Sequence, residues 1–286
     1  MRSTRIAVAV VIALVAASLI AFAVVAGSDR HDEGATSTRR PASTGVGTST
    51  TTTRLATTTT SMTAPTTPWS APDPSGHAAV ALRRGDPDRA VVALTFDAGS
   101  DTGYAAAMLD TLAAKDVQAA FGVTGRWVEA NPALVRRILA EGHQLVNHSY
   151  DHPSFTGRST GAPPLSRAQR LDQLARTEQA IGSATGAAAR PWFRPPYGDE
   201  DESVRADVGS AGYRYELLWT IDSLGWKGEP ADAVTRRCLD GAVPGAIYLF
   251  HVGAASTDHA ALPAVIDGLR ARGFGFTTPA EMALGL

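Results

Sequence analysis

Two imidazoles set four positions apart carry the first chemical signal in this chain. They are His148 and His152, within Asn147-His148-Ser149-Tyr150-Asp151-His152-Pro153. In one helical or near-helical turn that spacing puts both rings on one side of the backbone, close enough to share a cation. Neutral imidazole is the commonest ligand for zinc-like ions. Of the seven histidines, five fall in two windows: His143, His148 and His152 in one, His251 and His259 in the other. The bland alternative is a chance pair of surface histidines, a real risk for so short a motif.

Such residues need elements to position them. From residue 79 onward, short apolar runs alternate with amphipathic segments. Residues 91–96, 118–123, 144–146, 192–193, 215–220, 246–250 and 275–277 read as strands. Residues 105–114, 132–140, 166–182, 204–209, 231–239 and 260–270 read as helices. Pro132 suits a first turn, Ser166 a cap, and Gly142 and Gly273 lie past helix ends. About seven strands alternating with helices predict an α/β fold with a parallel sheet, open or closed into a barrel. In such folds chemistry gathers at the carboxyl ends of the strands. Asp97, His148, Arg194, Asp222 and His251 each stand at or just past such an end. One polar residue after a strand is ordinary. Five in succession, all of types useful in hydrolysis, single out a site.

Bulk properties exclude other classes. The 26 basic and 28 acidic residues nearly cancel, so no nucleic-acid partner is expected. The single cysteine, Cys238, excludes an intramolecular disulfide and reads as a packed apolar thiol. Residues 1–27 read as a targeting segment. Arg2 and Arg5 precede an uncharged run, 6–26, whose helix would be roughly 30 Å long and able to span a bilayer. The basic flank puts the remainder outside the cell. An uncleaved membrane anchor is favoured over a signal peptide cut near Ala21-Phe22-Ala23, because the run exceeds a usual signal core. Residues 28–78 are rich in Ser, Thr and Pro and too poor in apolar surface to order. They read as a disordered linker, open to glycosylation on hydroxyls. The domain proper is expected over 79–286. No protein partner is inferable.

Five short motifs appear in order along that domain: Thr95-Phe96-Asp97-Ala98-Gly99, His148-Ser149-Tyr150-Asp151-His152, Arg194-Pro195-Pro196-Tyr197-Gly198, Asp222-Ser223-Leu224-Gly225-Trp226 and Leu249-Phe250-His251. Together they make residues 93–278 resemble a NodB-homology polysaccharide deacetylase of carbohydrate esterase family four. The resemblance implies an irregular (β/α) barrel. It implies that Asp97 is the general base, that His148 and His152 bind a divalent metal, and that Arg194 pairs with and orients the base. It further implies that the backbone N–H of Tyr197 helps hold an oxyanion and that Leu249 and Trp226 wall an acetyl pocket. His251 would then be the acid that protonates the leaving amine. The metal is expected to be Zn2+, with Co2+ or another divalent ion as alternatives. The chemistry is coherent by itself. A metal brings the pKa of its water to about 7, a tetrahedral oxyanion needs a cation and an N–H donor, and an amine leaves once protonated.

Two departures stand out. Where the family has a second, metal-binding aspartate, this chain has Ala98, and Asp101 is the candidate substitute. Where many relatives have an aspartate before the tryptophan, this chain has Gly225, and Asp222 is the candidate partner for His251. Among the other residues, Trp127 reads as core packing or a sugar platform, His143 as a helix-dipole partner, His259 as solvated, and 199–202 as a solvated helix start. The expected function is removal of N-acetyl groups from amino sugars of a cell-surface polymer. Peptidoglycan comes first, because a tethered enzyme meets its own wall; chitin oligomers and O-acetyl xylan are alternatives. The alternative of another class is an inactive carbohydrate-binding module, motivated by Ala98.

Overall fold

A computed structural model describes residues 78–284. The leader expected over 1–27 and nearly all of the linker expected over 28–78 lie outside the described residues. Among the described residues no helix is long and apolar enough to cross a membrane.

Among the described residues nine strands form one sheet: β1 (Val80–Leu82), β2 (Val91–Ala98), β3 (Ala120–Val123), β4 (Gln144–Asn147), β5 (Trp192–Phe193), β6 (Tyr215–Leu217), β7 (Ile221–Asp222), β8 (Ile247–His251) and β9 (Gly275–Phe276). Their spatial order is β1-β6-β5-β4-β3-β2-β8-β7, with β9 beside β2. Every strand pair is parallel. The helices are α1 (Ala105–Ala114), α2 (Gly125–Ala130), α3 (Pro132–Ala140), α4 (Arg167–Thr185), α5 (Glu202–Ser210), α6 (Ala231–Asp240), α7 (Asp258–Ala271) and α8 (Pro279–Ala283). The result is a curled half-barrel of parallel strands with helices on its outer face. The seven expected strands become nine because β1 and β7 have three and two residues, too few to show a period. The four-residue β3 and the six-residue α2 likewise lie at the limit of pattern reading.

Strand alternation sorts core from site. On β2, Val92, Leu94, Phe96 and Ala98 enter the core cluster under the helices, with Met108, Leu109, Leu262 and Ile266. Phe96 stacks on Phe121 at 5.1 Å and on Phe250 at 5.4 Å between ring centres. The intervening positions face the hollow of the sheet. Ala93 joins Ala120, Val146 and Ile247 in an apolar plug. Above it come Thr95 and then Asp97. The register repeats the pattern next door: Ala93 pairs with Ile247, Thr95 with Leu249 and Asp97 with His251. One parallel pairing therefore sets the sequence-predicted base beside the sequence-predicted acid. The longest helix, α4, begins at the Ser166 cap as expected, and the Gln169 side chain closes a capping box.

Candidate active site

The strand ends enclose a cavity of about 670 Å³ whose lining includes Asp97, His148, His152, Asp222, Leu249 and His251. Tyr197, Trp219 and Trp226 form its aromatic walls. Tyr197 and Trp226 are the exposed ones, at 50% and 46%.

Arg194 lies beneath the cavity floor and is fully buried. Its Nη1 donates to Asp97 Oδ1 at 2.7 Å, Nη2 to the Thr95 hydroxyl at 2.8 Å, and Nε to the Leu217 carbonyl at 2.9 Å. Three fixed acceptors hold the guanidinium, and the guanidinium holds the carboxylate. Gly122 makes room for that carboxylate: a Cβ there would lie 2.5 Å from Asp97 Oδ1. Burial raises the pKa of Asp97, but Arg194, His148 and His251 outweigh it and bring the carboxyl to about 2. Asp97 is ionised at neutral pH.

His148 Nδ1 lies 2.9 Å from the Arg194 carbonyl. That acceptor calls for a proton on Nδ1 and leaves Nε2 bare. Nε2 faces Asp97 Oδ2 at 3.4 Å. Burial lowers the pKa of His148, and burial with the neighbouring His148 lowers that of His152 to about 4. Both rings are thus neutral with lone pairs to offer. Their centres are 4.7 Å apart, and His152 is also 4.7 Å from the Tyr197 ring. The segment 148–152 is a loop that follows β4. Ser149 at φ 63° and His152 at φ 62°, both left-handed, turn the two rings toward each other. Tyr197 and Leu224 are left-handed too, so among the described residues four of the five non-glycine residues with this conformation belong to the site loops. Backbone strain of this kind concentrates at functional sites.

A bare imidazole nitrogen facing an ionised carboxylate oxygen is an acceptor facing an acceptor. A divalent cation fits that arrangement, with His148 and His152 as its imidazole donors. Among the described residues, no set of three His, Cys, Asp or Glu side chains is grouped as a ligand cluster. Asp101 does not supply the third. Its Oδ1 accepts the Ala254 N–H at 2.9 Å, and its carbonyl takes the Trp127 indole N–H at 2.8 Å. The loop is fastened to its neighbours by these bonds, and Asp101 is not among the residues that line the cavity. Ala98 is buried in the helix-side core.

Asp222 also has a different partner from the one expected. Its Oδ1 accepts the Leu224 N–H at 3.0 Å and the Trp226 indole N–H at 3.1 Å. It holds the aromatic wall, not the acid. The carboxylate bonded to His251 is Asp258, whose Oδ2 accepts the His251 backbone N–H at 2.8 Å. Burial raises the Asp258 pKa, opposed by hydrogen bonds from His251, Ser223 and Ser256. Sequence reading missed Asp258, Thr95 and Trp219. The outward neighbours follow expectation in part: Trp127 is buried and packs in the core, as one of its two readings had it. His143 is buried and accepts the Ala119 N–H. His259 stacks on Tyr104 at 3.4 Å between ring centres. Asp199 takes Ser154 and Ser159 hydroxyls, while Asp201 caps α5. Cys238 is a buried thiol, as expected, pushed up to about 12 by burial.

This geometry agrees with comparisons to known proteins. The family model for polysaccharide deacetylase matches residues 84–216. The peptidoglycan-N-acetylglucosamine deacetylase of Bacillus cereus is 31% identical over 201 residues, covering 69% of this chain and 70% of that protein. The Listeria monocytogenes peptidoglycan-N-acetylglucosamine deacetylase PgdA is 36% identical over 191 residues, which cover 67% of this chain but 38% of PgdA. Among solved structures, a CE4 family pseudoenzyme from Bacillus anthracis matches with a TM-score of 0.65 at 29% identity, over 72% of this chain and 69% of that one. The chain belongs to the polysaccharide deacetylase family, the NodB-homology group of carbohydrate esterase family four.

Proposed function

We propose that the protein is a metal-dependent deacetylase of N-acetylated amino sugars in peptidoglycan. The observation that carries this reading is His148 Nε2 facing Asp97 Oδ2 at 3.4 Å, on a strand whose register sets His251 beside Asp97. A divalent ion, zinc by its imidazole donors, would be held by His148 and His152 and would acidify water and polarise the acetyl carbonyl. Asp97, ionised and pinned by Arg194, takes the proton as the water oxygen bonds to the acetyl carbon. The Tyr197 backbone N–H stabilises the oxyanion that forms. His251 gives a proton to the amide nitrogen as the carbon–nitrogen bond breaks, leaving acetate and a free amine. Leu249 and Trp226, the latter held by Asp222, close around the acetyl methyl. Peptidoglycan is supported by the Bacillus cereus and Listeria relatives, both of which are peptidoglycan-N-acetylglucosamine deacetylases. The amino-terminal sequence supports export, with residues 6–26 as a membrane tether and the domain outside.

A second reading is an inactive carbohydrate-binding module. It is favoured by Ala98, by the orientation of Asp101, and by the likeness to a pseudoenzyme. One experiment separates the two. The full-length chain is analysed for bound metal and assayed for acetate release from peptidoglycan, chitin oligomers and acetylxylan, with and without chelator. Chelator-sensitive acetate release, greatest on peptidoglycan, is the expected result. Sugar binding with neither metal nor acetate would sink the enzyme reading. Faster release from chitin or xylan would move the substrate.

A further inference from the structure

Asp258 opens α7, seven positions beyond His251, and is fully buried. A carboxylate taken out of water needs polar partners for both oxygens. Oδ2 has two: the His251 N–H at 2.8 Å and the Ser256 hydroxyl at 2.9 Å. The Ser223 hydroxyl is also a neighbour of the carboxylate, but Oδ1 makes no well-formed hydrogen bond, and Nδ1 of His251 is likewise buried with no partner. An acceptor and a ring nitrogen able to donate are thus left over on two residues already joined through Oδ2. One bond between them satisfies both.

The space around the carboxylate supports the pairing. A Cβ at Gly225 would lie 2.1 Å from Asp258 Oδ1 and 2.6 Å from its Cγ. The Asp258 side chain therefore fills the volume that any side chain at 225 would need. The Thr257 N–H donates to the Gly225 carbonyl at 3.2 Å, which locks the start of α7 onto the 222–226 loop. Asp222 is committed to Leu224 and Trp226.

We propose that Asp258 is the positioning residue of His251: its Oδ1 accepts the ring Nδ1–H, and Gly225 is the gap that admits it. A proton fixed on Nδ1 leaves Nε2 as the nitrogen that exchanges a proton with substrate. This rests on the reading of His251 as the acid.

The test uses the full-length chain with its histidine rings labelled by nitrogen-15, the His251 signals being assigned with His251→Gln. Asp258→Asn keeps the shape but can turn an amide N–H toward Nδ1. The swap Gly225→Asp with Asp258→Ala moves the carboxylate to the other side of the same gap. The wild type is expected to carry its proton on Nδ1. Asp258→Asn is expected to lose it, with kcat on acetylated glycan down 10–100-fold and KM unchanged. The swap is expected to regain the Nδ1 proton and at least tenfold in kcat. The proposal is overturned if wild-type His251 is protonated on Nε2 alone, or if Asp258→Asn keeps both the tautomer and the rate. Should Asp258→Asn not fold, the wild-type tautomer and the swap decide the matter. If the wild type releases no acetate, the hydrolase reading fails, while the tautomer comparison still tests the pairing.

Discussion

Gly122→Ala tests whether the Asp97 carboxylate works only in the orientation that Arg194 imposes. Gly122 sits opposite Asp97 in the β2–β3 register. The added Cβ would lie 2.5 Å from Oδ1, whereas ordinary contact begins at 3.4 Å, so the oxygen must move about 0.9 Å. Oδ1 is the atom that Arg194 Nη1 holds at 2.7 Å, and Arg194 is itself fixed by Thr95 and Leu217. The guanidinium has no freedom to follow. Misplacing a reacting group by about 1 Å can cost about 100-fold, equivalent to about 2.7 kcal/mol of barrier. The substitution removes no buried partner, and alanine suits a strand interior better than glycine. The fold should persist while kcat falls. Acetate release measured over a range of peptidoglycan concentrations, beside a thermal melt, reads both quantities. A variant that melts within a few degrees of wild type and keeps kcat within about threefold would refute the argument.

Two further outcomes follow from buried or fastened carboxylates. Glu216 is fully buried, neither side-chain oxygen has a partner, and burial with Glu200 pushes its pKa up to about 8. It is neutral when folded but ionises near 4.5 when unfolded, so unfolding releases a proton between those values. Stability is fullest below pH 4.5 and falls as pH rises to about 8, by about 1.4 kcal/mol per pH unit and about 5 kcal/mol at most. Glu216→Gln should remove this loss, so that the variant gains on wild type between pH 5 and 8 in urea unfolding; parallel curves would count against it. Asp101→Ala should leave metal affinity unchanged, because its carboxylate holds the Ala254 N–H. It should cost about 1 kcal/mol of stability, read by metal titration and melting; weaker metal binding at unchanged stability would reverse that assignment.

Much of the site was legible because parallel α/β folds give strand ends a shared destination. Asp97, Arg194 and His251 needed only short apolar runs to be placed, and the sheet register does bring Asp97 and His251 side by side. What failed was local geometry and long-range partnership. The spacing of His148 and His152 announced their proximity, but not the two left-handed residues that produce it within a loop. The direction of Asp101 depends on Ala254, 153 positions away, and no window of sequence reports such a contact. Asp258 looks like an ordinary acidic residue in the first turn of a helix. Its relation to His251 emerges only when α7 folds against the loop carrying Gly225. Gly225 was the available clue: an unexplained absence of side chain marks a place where something else intrudes.

The alternation along β2 has a consequence for how this protein can change. Loop substitutions can retune the mouth of the cavity piecemeal, but a single-residue deletion within β2 would exchange its two faces. Phe96 would swing into the hollow and Asp97 into oil. Such a lesion destroys scaffold and chemistry in one stroke. Viable descendants are confined to exchanges that preserve the parity of that strand, and innovation is pushed outward to the rim.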